Sequence, residues 1–121
     1  MSKHILVVDD SVSIRQMVET TLKAAHYKVT LAEDGLDALE KCKASTFDFV
    51  LTDQNMPRMD GLSLIKSLRS LVTFQRTPIV VLTTESSDDM KQRGKAAGAT
   101  GWMVKPFSPD VLLNVMRRVL G

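Results

Sequence analysis

Short apolar segments alternate along the chain with longer segments whose apolar residues recur every three or four positions. The short segments are rich in β-branched residues and almost continuously apolar, which predicts strands covered on both faces of a parallel sheet. They lie at residues 5–8, 49–51, 79–82 and 102–104, with a weaker one at 28–31.

Four of the longer segments have a single apolar face, as expected for helices packed on a sheet. The residues on these faces are Ile14, Met17, Val18, Thr21, Leu22 and Ala25; Leu36, Leu39 and Cys42; Leu62, Ile65, Leu68 and Val72; and Val111, Leu112, Val115, Met116 and Val119. A fifth segment, 86–97, contains few apolar residues. We still predict a helix there, loosely held and with an exposed face, because Ser86 or Ser87 can cap it and two aspartates follow.

Local signals mark several element boundaries. Ser108 followed by Pro109 predicts a capped helix start, and Asp34-Gly35 and Asp60-Gly61 predict turns. Five strands alternating with five helices predict a doubly wound α/β sandwich with right-handed crossovers. The whole chain, 1–121, is expected to form one domain.

Composition narrows the functional classes. The 16 basic and 14 acidic residues give a net charge of +2 and are mixed along the chain, so we expect no nucleic-acid partner. Cys42 is the single cysteine, which excludes an internal disulfide and favours a reducing cytoplasm. No apolar run approaches the roughly 18 residues of a membrane span, so we expect a cytoplasmic protein without membrane insertion.

Polar residues collect where the predicted strands end. Asp9-Asp10 follow the first strand, Asp53 the third, Thr83 the fourth and Lys105 the fifth. Ligands bind open α/β sheets at the carboxyl ends of the strands. If the first and third strands are neighbours, their carboxylates converge, since adjacent strands are only about 4.8 Å apart.

Three carboxylates this close repel one another unless a cation neutralises them. Oxygen ligands without histidine or cysteine favour a hard ion, and Mg²⁺ suits a site of few carboxylates and a phosphate. Lys105 would add a positive charge and Thr83 a hydroxyl, which together form a clamp for phosphoryl oxygens. An aspartate in such a clamp can act as the nucleophile. Each feature alone is common in turns and helix caps; their joint occurrence predicts a phosphoryl-transfer site.

Four stretches carry a family resemblance: LVVDDS at 6–11, LTDQNMPRMDG at 51–61, PIVVLTTES at 78–86 and GATGWMVKPFS at 98–108. With these, the whole chain resembles bacterial response-regulator receiver domains, and in particular the single-domain chemotaxis regulators of the CheY type. The resemblance implies a flavodoxin-like (βα)5 fold with strand order 2-1-3-4-5. It also implies a signalling protein rather than an enzyme, with self-catalysed phosphotransfer and autodephosphorylation.

The resemblance assigns a role to each matching residue. Asp53 would be the phosphoacceptor and also a ligand of Mg²⁺. Asp10 would bind the ion directly, Asp9 largely through water, and Asn55 through its backbone carbonyl.

The remaining roles concern residues that would bind the phosphoryl group or change conformation on activation. Thr83 would bond the phosphoryl group, and Lys105 would be the family cation, followed by a cis peptide bond to Pro106. Trp102 departs from the tyrosine or phenylalanine usual at its position, so it either turns inward on activation or merely packs. Gln54 replaces a frequent tryptophan, and we expect no mechanistic consequence.

The implied partners are a CheA-like histidine kinase as phosphodonor and an output protein such as a flagellar-motor switch component. No output domain follows Gly121, so we expect signalling to pass through a partner. We also expect a monomer. The output surface would involve Lys91, Lys95, Thr100, Trp102 and Phe107; kinase recognition would involve Ile14, Arg15 and Val18; and Arg58 and Glu85 would border the mouth of the site.

Three alternatives are weighed against this interpretation. A stand-alone phosphorelay intermediate or phosphate sink would use the same chemistry without a motor partner. A haloacid-dehalogenase-like Mg²⁺ phosphatase is distant, because Asp9 and Asp10 are adjacent and Ser11 and Val12 cannot supply the second acid. A P-loop nucleotidase is excluded because no Gly-rich loop ends in Gly-Lys-Ser/Thr.

Overall fold

The computed structural model describes residues 2–85 and 87–120. In this part of the chain, strands and helices alternate from the N-terminus onward. The strands are β1 His4–Val8, β2 Lys28–Ala32, β3 Phe49–Asp53, β4 Ile79–Thr83 and β5 Gly101–Val104. The helices are α1 Val12–Ala24, α2 Gly35–Ala44, α3 Gly61–Arg69, α4 Asp88–Ala97 and α5 Pro109–Leu120, with a 3₁₀ turn at Val72–Phe74 after α3.

The described strands form one parallel sheet in the order β2-β1-β3-β4-β5, which confirms the predicted doubly wound fold. The three central strands are almost wholly buried, whereas β2 and β5 are partly exposed edges. One apolar core lies between the sheet and α2, α3 and α4, and a second lies between the sheet and α1 and α5. Continuous apolar strands are therefore covered on both faces, as their sequence predicts.

The helix starts are capped by side chains. Asp34 accepts a hydrogen bond from the Asp37 N–H at 2.9 Å, and Asp60 accepts one from Ser63 at 2.8 Å. Gly35 and Gly61 are therefore the first residues of α2 and α3, and the prediction that they lie in turns is wrong. The aspartate side chains act as N-caps here rather than as turn residues.

Helix α4 has the exposed face that its sequence predicts, since only Met90, Gly94 and Ala97 are buried. Ser87 caps it through a 3.2 Å hydrogen bond from the Met90 N–H, while the alternative cap, Ser86, lies outside the described residues. At its other end, Gly98 has a φ of 106°.

The C-terminal end of α4 is anchored to α3 by an arginine. Arg69 donates to the Gly98 carbonyl from Nε (3.0 Å) and Nη2 (2.8 Å), and to the Phe74 and Thr77 carbonyls from Nη1. Burial lowers the pKa of Arg69. A guanidinium is well placed here because the C-terminus of a helix carries partial negative charge.

Val72 does not belong to the apolar face of α3, and that prediction is wrong. The helix ends at Arg69, and Val72 lies in the 3₁₀ turn with 84% of its surface exposed. The i→i−3 bonds from Ser70 and Leu71 tighten the chain at the helix end. This change of geometry brings Phe74 into the core instead.

No helix within residues 2–85 and 87–120 combines the length and apolar character that a bilayer crossing requires.

Candidate functional site

Three carboxylates meet at the carboxyl edge of the sheet. Strands β1 and β3 are adjacent, with Val8 paired to Thr52, so the residues that follow each strand emerge side by side. Asp9, Asp10 and Asp53 each offer an oxygen that lies within 4.8 Å of the others. The convergence predicted from the strand ends is thus present.

Lys105 inserts its ammonium between two of these carboxylates. Its Nζ lies 2.9 Å from Asp9 Oδ2 and 3.2 Å from Asp53 Oδ1, and only 17% of its side chain is exposed. Strand β5 positions it, because the Lys105 N–H donates to the Thr83 carbonyl at 2.8 Å. The peptide bond from Lys105 to Pro106 is cis, as the resemblance implies.

Burial and charge shift the ionisation of this cluster in opposite directions. Burial, and then the neighbouring Asp9 charge, raise the pKa of Asp53 although Lys105 opposes them. Burial lowers the pKa of Lys105, but its hydrogen bond to Asp9 and the two carboxylate charges outweigh burial, so the pKa lies above its ordinary value. One ammonium cannot neutralise three carboxylates, which leaves a net negative, oxygen-only site.

The three carboxylates differ in burial and in the hydrogen bonds that they accept from the rest of the chain. Asp9 is fully buried and accepts from the Ser11 N–H at 2.9 Å through Oδ1 and from Lys105 through Oδ2. Asp10 is exposed at the mouth of the site. Such a set, with one carboxylate open to solvent, fits a hard divalent cation that keeps part of its water shell.

Thr83 ends β4 beside this cluster and is 1% exposed. Its Oγ1 accepts from the Glu85 N–H at 3.0 Å, so the hydroxyl hydrogen can be donated elsewhere. On its other side, Thr83 borders a small void that Trp102 also borders; Leu62, Met90 and Gly94 are among the other residues that line it.

Trp102 points outward from the edge strand β5. It is 40% exposed, and Lys91 Nζ lies 5.1 Å from the centre of its ring, a cation–π arrangement. The indole and a lysine of α4 therefore form part of one surface.

The other residues of the predicted output surface, Lys95, Thr100 and Phe107, lie on or beside α4, β5 and α5. Lys95 and Thr100 are exposed, although the Thr100 hydroxyl already accepts from the Ile79 N–H at 3.0 Å. Phe107 is only partly exposed and packs against the core shared with α1 and α5.

The residues proposed for kinase recognition are only partly at the surface. Ile14 and Arg15 are half-buried, and Arg15 donates to the backbone carbonyl of Asp9. Val18 is fully buried among the core residues between α1 and the sheet, so its assignment to a recognition surface is wrong. It lies on the inward face of α1, where the helical spacing of the apolar residues would place it.

The two residues expected at the mouth of the site are both exposed, but their side chains have different partners. Glu85 accepts from the Ser87 hydroxyl at 2.8 Å, whereas Arg58 binds Asp34 at the start of α2. The sequence gives no local signal for this second contact, because 24 positions separate its partners.

Gln54 also has a role that its sequence position does not reveal. Its side chain is 5% exposed and accepts a 2.9 Å hydrogen bond from the Leu62 N–H, which satisfies a free donor in the first turn of α3. The residue after Asp53 thus helps to begin the next helix.

The comparisons agree with this geometry. The response regulator receiver domain family matches residues 5–117. The chemotaxis protein CheY1 of Helicobacter pylori is 42% identical over 119 residues, covering 97% of this chain and 96% of the relative. The structure of the chemotaxis protein CheY4 of Vibrio cholerae superposes with a TM-score of 0.96 at 50% identity, covering 98% of this chain and 99% of the other.

A third similar structure concerns the metal. It is the receiver domain of the sensor histidine kinase PA1611 of Pseudomonas aeruginosa, described with a magnesium ion coordinated in its active-site cleft. It superposes with a TM-score of 0.91 at 28% identity and covers 100% of this chain and 99% of its own.

The chain therefore belongs to the response regulator receiver domain family. Within that family it is similar to the CheY chemotaxis regulators over nearly its full length. Receivers of this type take a phosphoryl group from a histidine kinase and act on an output partner, so this chain is a response regulator activated by phosphorylation.

Proposed function

We propose that Asp53 is the phosphoacceptor and that the phosphoryl group reaches it from a histidine kinase in a Mg²⁺-dependent reaction. The convergence of Asp9, Asp10, Asp53 and Lys105 at one sheet edge is the observation that supports this most strongly. Residues 1–121 would act as a single receiver unit, monomeric and cytoplasmic.

The acceptor step is a substitution at phosphorus. A carboxylate oxygen of Asp53 forms a bond to phosphorus while the bond from phosphorus to the donor histidine nitrogen breaks, and that nitrogen keeps the electron pair. Lys105, which already lies 3.2 Å from Asp53, then holds a phosphoryl oxygen by charge, and the Thr83 hydroxyl donates to another. In autodephosphorylation, water attacks phosphorus and the Asp53 carboxylate leaves.

The cation would be held by Asp10 directly, by Asp9 largely through water, by Asp53, and by the backbone carbonyl of Asn55. Bound Mg²⁺ neutralises the carboxylates and withdraws charge from the phosphoryl oxygens. The existing hydrogen bonds of Asp9 support its indirect role, since both of its carboxylate oxygens already have donors.

The phosphoryl chemistry is tested by mass. Incubation with Mg²⁺ and a small acyl phosphate should add the mass of one phosphoryl group, and EDTA should prevent the addition. Asp10→Asn should reduce the rate strongly because it removes the exposed ligand. An addition that proceeds equally well in EDTA would refute the metal-dependent mechanism.

We further propose that the output belongs to chemotaxis: a CheA-like kinase would supply the phosphoryl group, and a flagellar-motor switch component would bind the phosphorylated form. Support comes from the chemotaxis relatives and from the surface where Lys91 meets Trp102. The alternative is a phosphorelay intermediate or phosphate sink, which has no motor partner. Pull-downs with and without beryllofluoride, a phosphoryl mimic, distinguish the chemotaxis function from this alternative. Absence of a motor component from both samples would exclude the chemotaxis function.

Trp102 is the only tryptophan, so its fluorescence reports its own environment. The resemblance to receiver domains implies an inward turn of this ring when Thr83 moves toward the phosphoryl group, and both residues border the same small void. Such a turn should change the emission on adding beryllofluoride in wild type, and the change should be absent in Thr83→Ala. Identical emission with and without the mimic would favour a ring that only packs.

A further inference from the structure

The loop between β3 and α3, residues 54–60, carries Asn55 beside the acidic cluster, and we call it the acceptor loop. Its base is closed by a 3.0 Å hydrogen bond from the Gly61 N–H to the Gln54 carbonyl. The same end is tightly packed, since a Cβ on Gly61 would lie 2.5 Å from the Asp53 carbonyl oxygen. The base of the loop is thus fixed directly behind Asp53.

The far side of the acceptor loop is attached to α2 by an ion pair. Arg58 donates from Nε to Asp34 Oδ2 at 2.7 Å, and its Nη2 lies 2.5 Å from the same oxygen. The Arg58 side chain is 54% exposed, but the Asp34 side chain is only 6% exposed. An exposed ion pair is usually weak, whereas this one combines a charge-assisted hydrogen bond from Nε with the close Nη2 contact on a buried acceptor.

Asp34 is itself held in place. Its other oxygen, Oδ1, caps α2 by accepting from the Asp37 N–H. Next to it, Gly35 packs so closely that a Cβ there would lie 2.6 Å from the Met59 carbonyl oxygen. The start of α2 therefore contacts the acceptor loop through both a side chain and the backbone.

The backbone of Arg58 is strained. Its φ is 68°, in the left-handed region that is unfavourable for a residue other than glycine. The hydrogen bond and ion pair with Asp34 are made in this conformation. Without them, relaxation of φ at Arg58 would change the path of the loop only three residues from Asn55.

We propose that Arg58 is a positioning residue: by binding Asp34 it holds the acceptor loop against α2, so that the Asn55 carbonyl is preorganised for a divalent cation beside Asp10 and Asp53. The inference rests on the metal site of the proposed function. It differs from a charge effect at the site mouth, because the Arg58 guanidinium faces Asp34.

The direction in which Arg58→Ala changes the Mg²⁺ affinity distinguishes a positioning role from a charge effect. Arg58→Ala removes a positive charge from the neighbourhood of an anionic site, so electrostatics alone would tighten Mg²⁺ binding. Loss of positioning should weaken it by about tenfold, at the lower end of the effect of residues that orient metal ligands. Mg²⁺ affinity is measured by titration calorimetry, at a temperature where circular dichroism shows the variants fully folded.

Three further variants complete the design. Arg58→Lys keeps the charge but has only one nitrogen to contact Asp34, so its Mg²⁺ affinity should lie between those of Arg58→Ala and wild type. Asp34→Asn keeps an N-cap while breaking the ion pair, and the double variant Arg58→Ala/Asp34→Asn should be no weaker than either single variant. Arg76→Ala, an exposed arginine beyond α3, is the matched control and should bind Mg²⁺ as wild type does.

Asp10→Asn distinguishes failure of this inference from failure of the metal site. If Asp10→Asn binds Mg²⁺ as tightly as wild type, the proposed metal site is wrong. If Asp10→Asn loses binding while Arg58→Ala binds as tightly as wild type or more tightly, the site stands and the positioning role of Arg58 is overturned.

Discussion

At the residue scale, two buried aspartates have opposite surroundings. The pKa of Asp53 is raised, first by burial and then by the Asp9 charge. The pKa of Asp34 is lowered from 3.8, first by the hydrogen bond from the Asp37 N–H and further by Arg58, although burial opposes both. Donors aimed at a carboxylate favour its charged form, whereas burial beside other carboxylates disfavours it.

The lowered pKa of Asp34 makes a pH-dependent contribution to stability. A carboxyl whose pKa is lower in the folded state stabilises the fold above its unfolded value, near 3.8, and loses that contribution as pH falls through the folded value. The stability advantage of wild type over Asp34→Asn should therefore be largest near neutral pH and shrink below about pH 4. Denaturant unfolding of both proteins across this range measures it. An advantage that grows on acidification would contradict the assignment.

At the element scale, the sequence predicts which segments are strands and how they alternate with helices. It does so because a continuously apolar segment indicates a strand that is buried on both faces of the sheet. The strand-end positions of Asp9, Asp53, Thr83 and Lys105 follow from the same pattern, and with them the site. Val72 shows the limit of periodicity, since backbone hydrogen bonds end α3 before the apolar repeat ends.

Contacts between distant elements are less predictable. The pair of Arg58 with Asp34 and the four hydrogen bonds of Arg69 join segments that the fold alone brings together. Nothing in the local spacing marks their partners, because charged side chains at loop positions are common in any soluble protein.

Helix α4 contains a glycine that its packing does not require. A Cβ at Gly94 would meet Ala99 at 3.9 Å and Leu62 at 4.0 Å, which are ordinary contacts. Gly94→Ala should therefore raise the free energy of unfolding by about 0.5–1 kcal/mol, through helix propensity and the smaller entropy of the unfolded chain.

The matched control is Ala96→Gly, at an exposed position of the same helix. It should lower the free energy of unfolding by about the same amount, 0.5–1 kcal/mol. Denaturant unfolding of both variants measures these changes. A destabilised Gly94→Ala would mean that the packing around α4 does not accommodate a Cβ at this position.

At the scale of the whole molecule, the acidic cluster would link cation binding to folding stability. Carboxylates crowded within 4.8 Å repel in the absence of a divalent ion, and a ligand that binds only the folded state stabilises it. The same three aspartates would thus lower the folding stability of the metal-free protein and raise it when the cation is bound.

Asp10→Asn should separate the two effects. In EDTA its melting temperature should equal or exceed that of wild type, because one repelling charge is gone. At a Mg²⁺ concentration one hundred times the dissociation constant, wild type should gain about 2.7 kcal/mol and the variant much less. Differential scanning calorimetry in both conditions measures it, and equal gains would show that the ion binds elsewhere.

One carboxylate, that of Asp53, should accept the phosphoryl group. Wild type, Asp53→Asn and the control Asp89→Asn, at an exposed aspartate of α4, should be incubated in parallel with Mg²⁺ and a small acyl phosphate and analysed by intact mass spectrometry. We expect the mass of one phosphoryl group to be added to wild type and to Asp89→Asn but not to Asp53→Asn. An undiminished addition to Asp53→Asn would show that another residue is the phosphoacceptor.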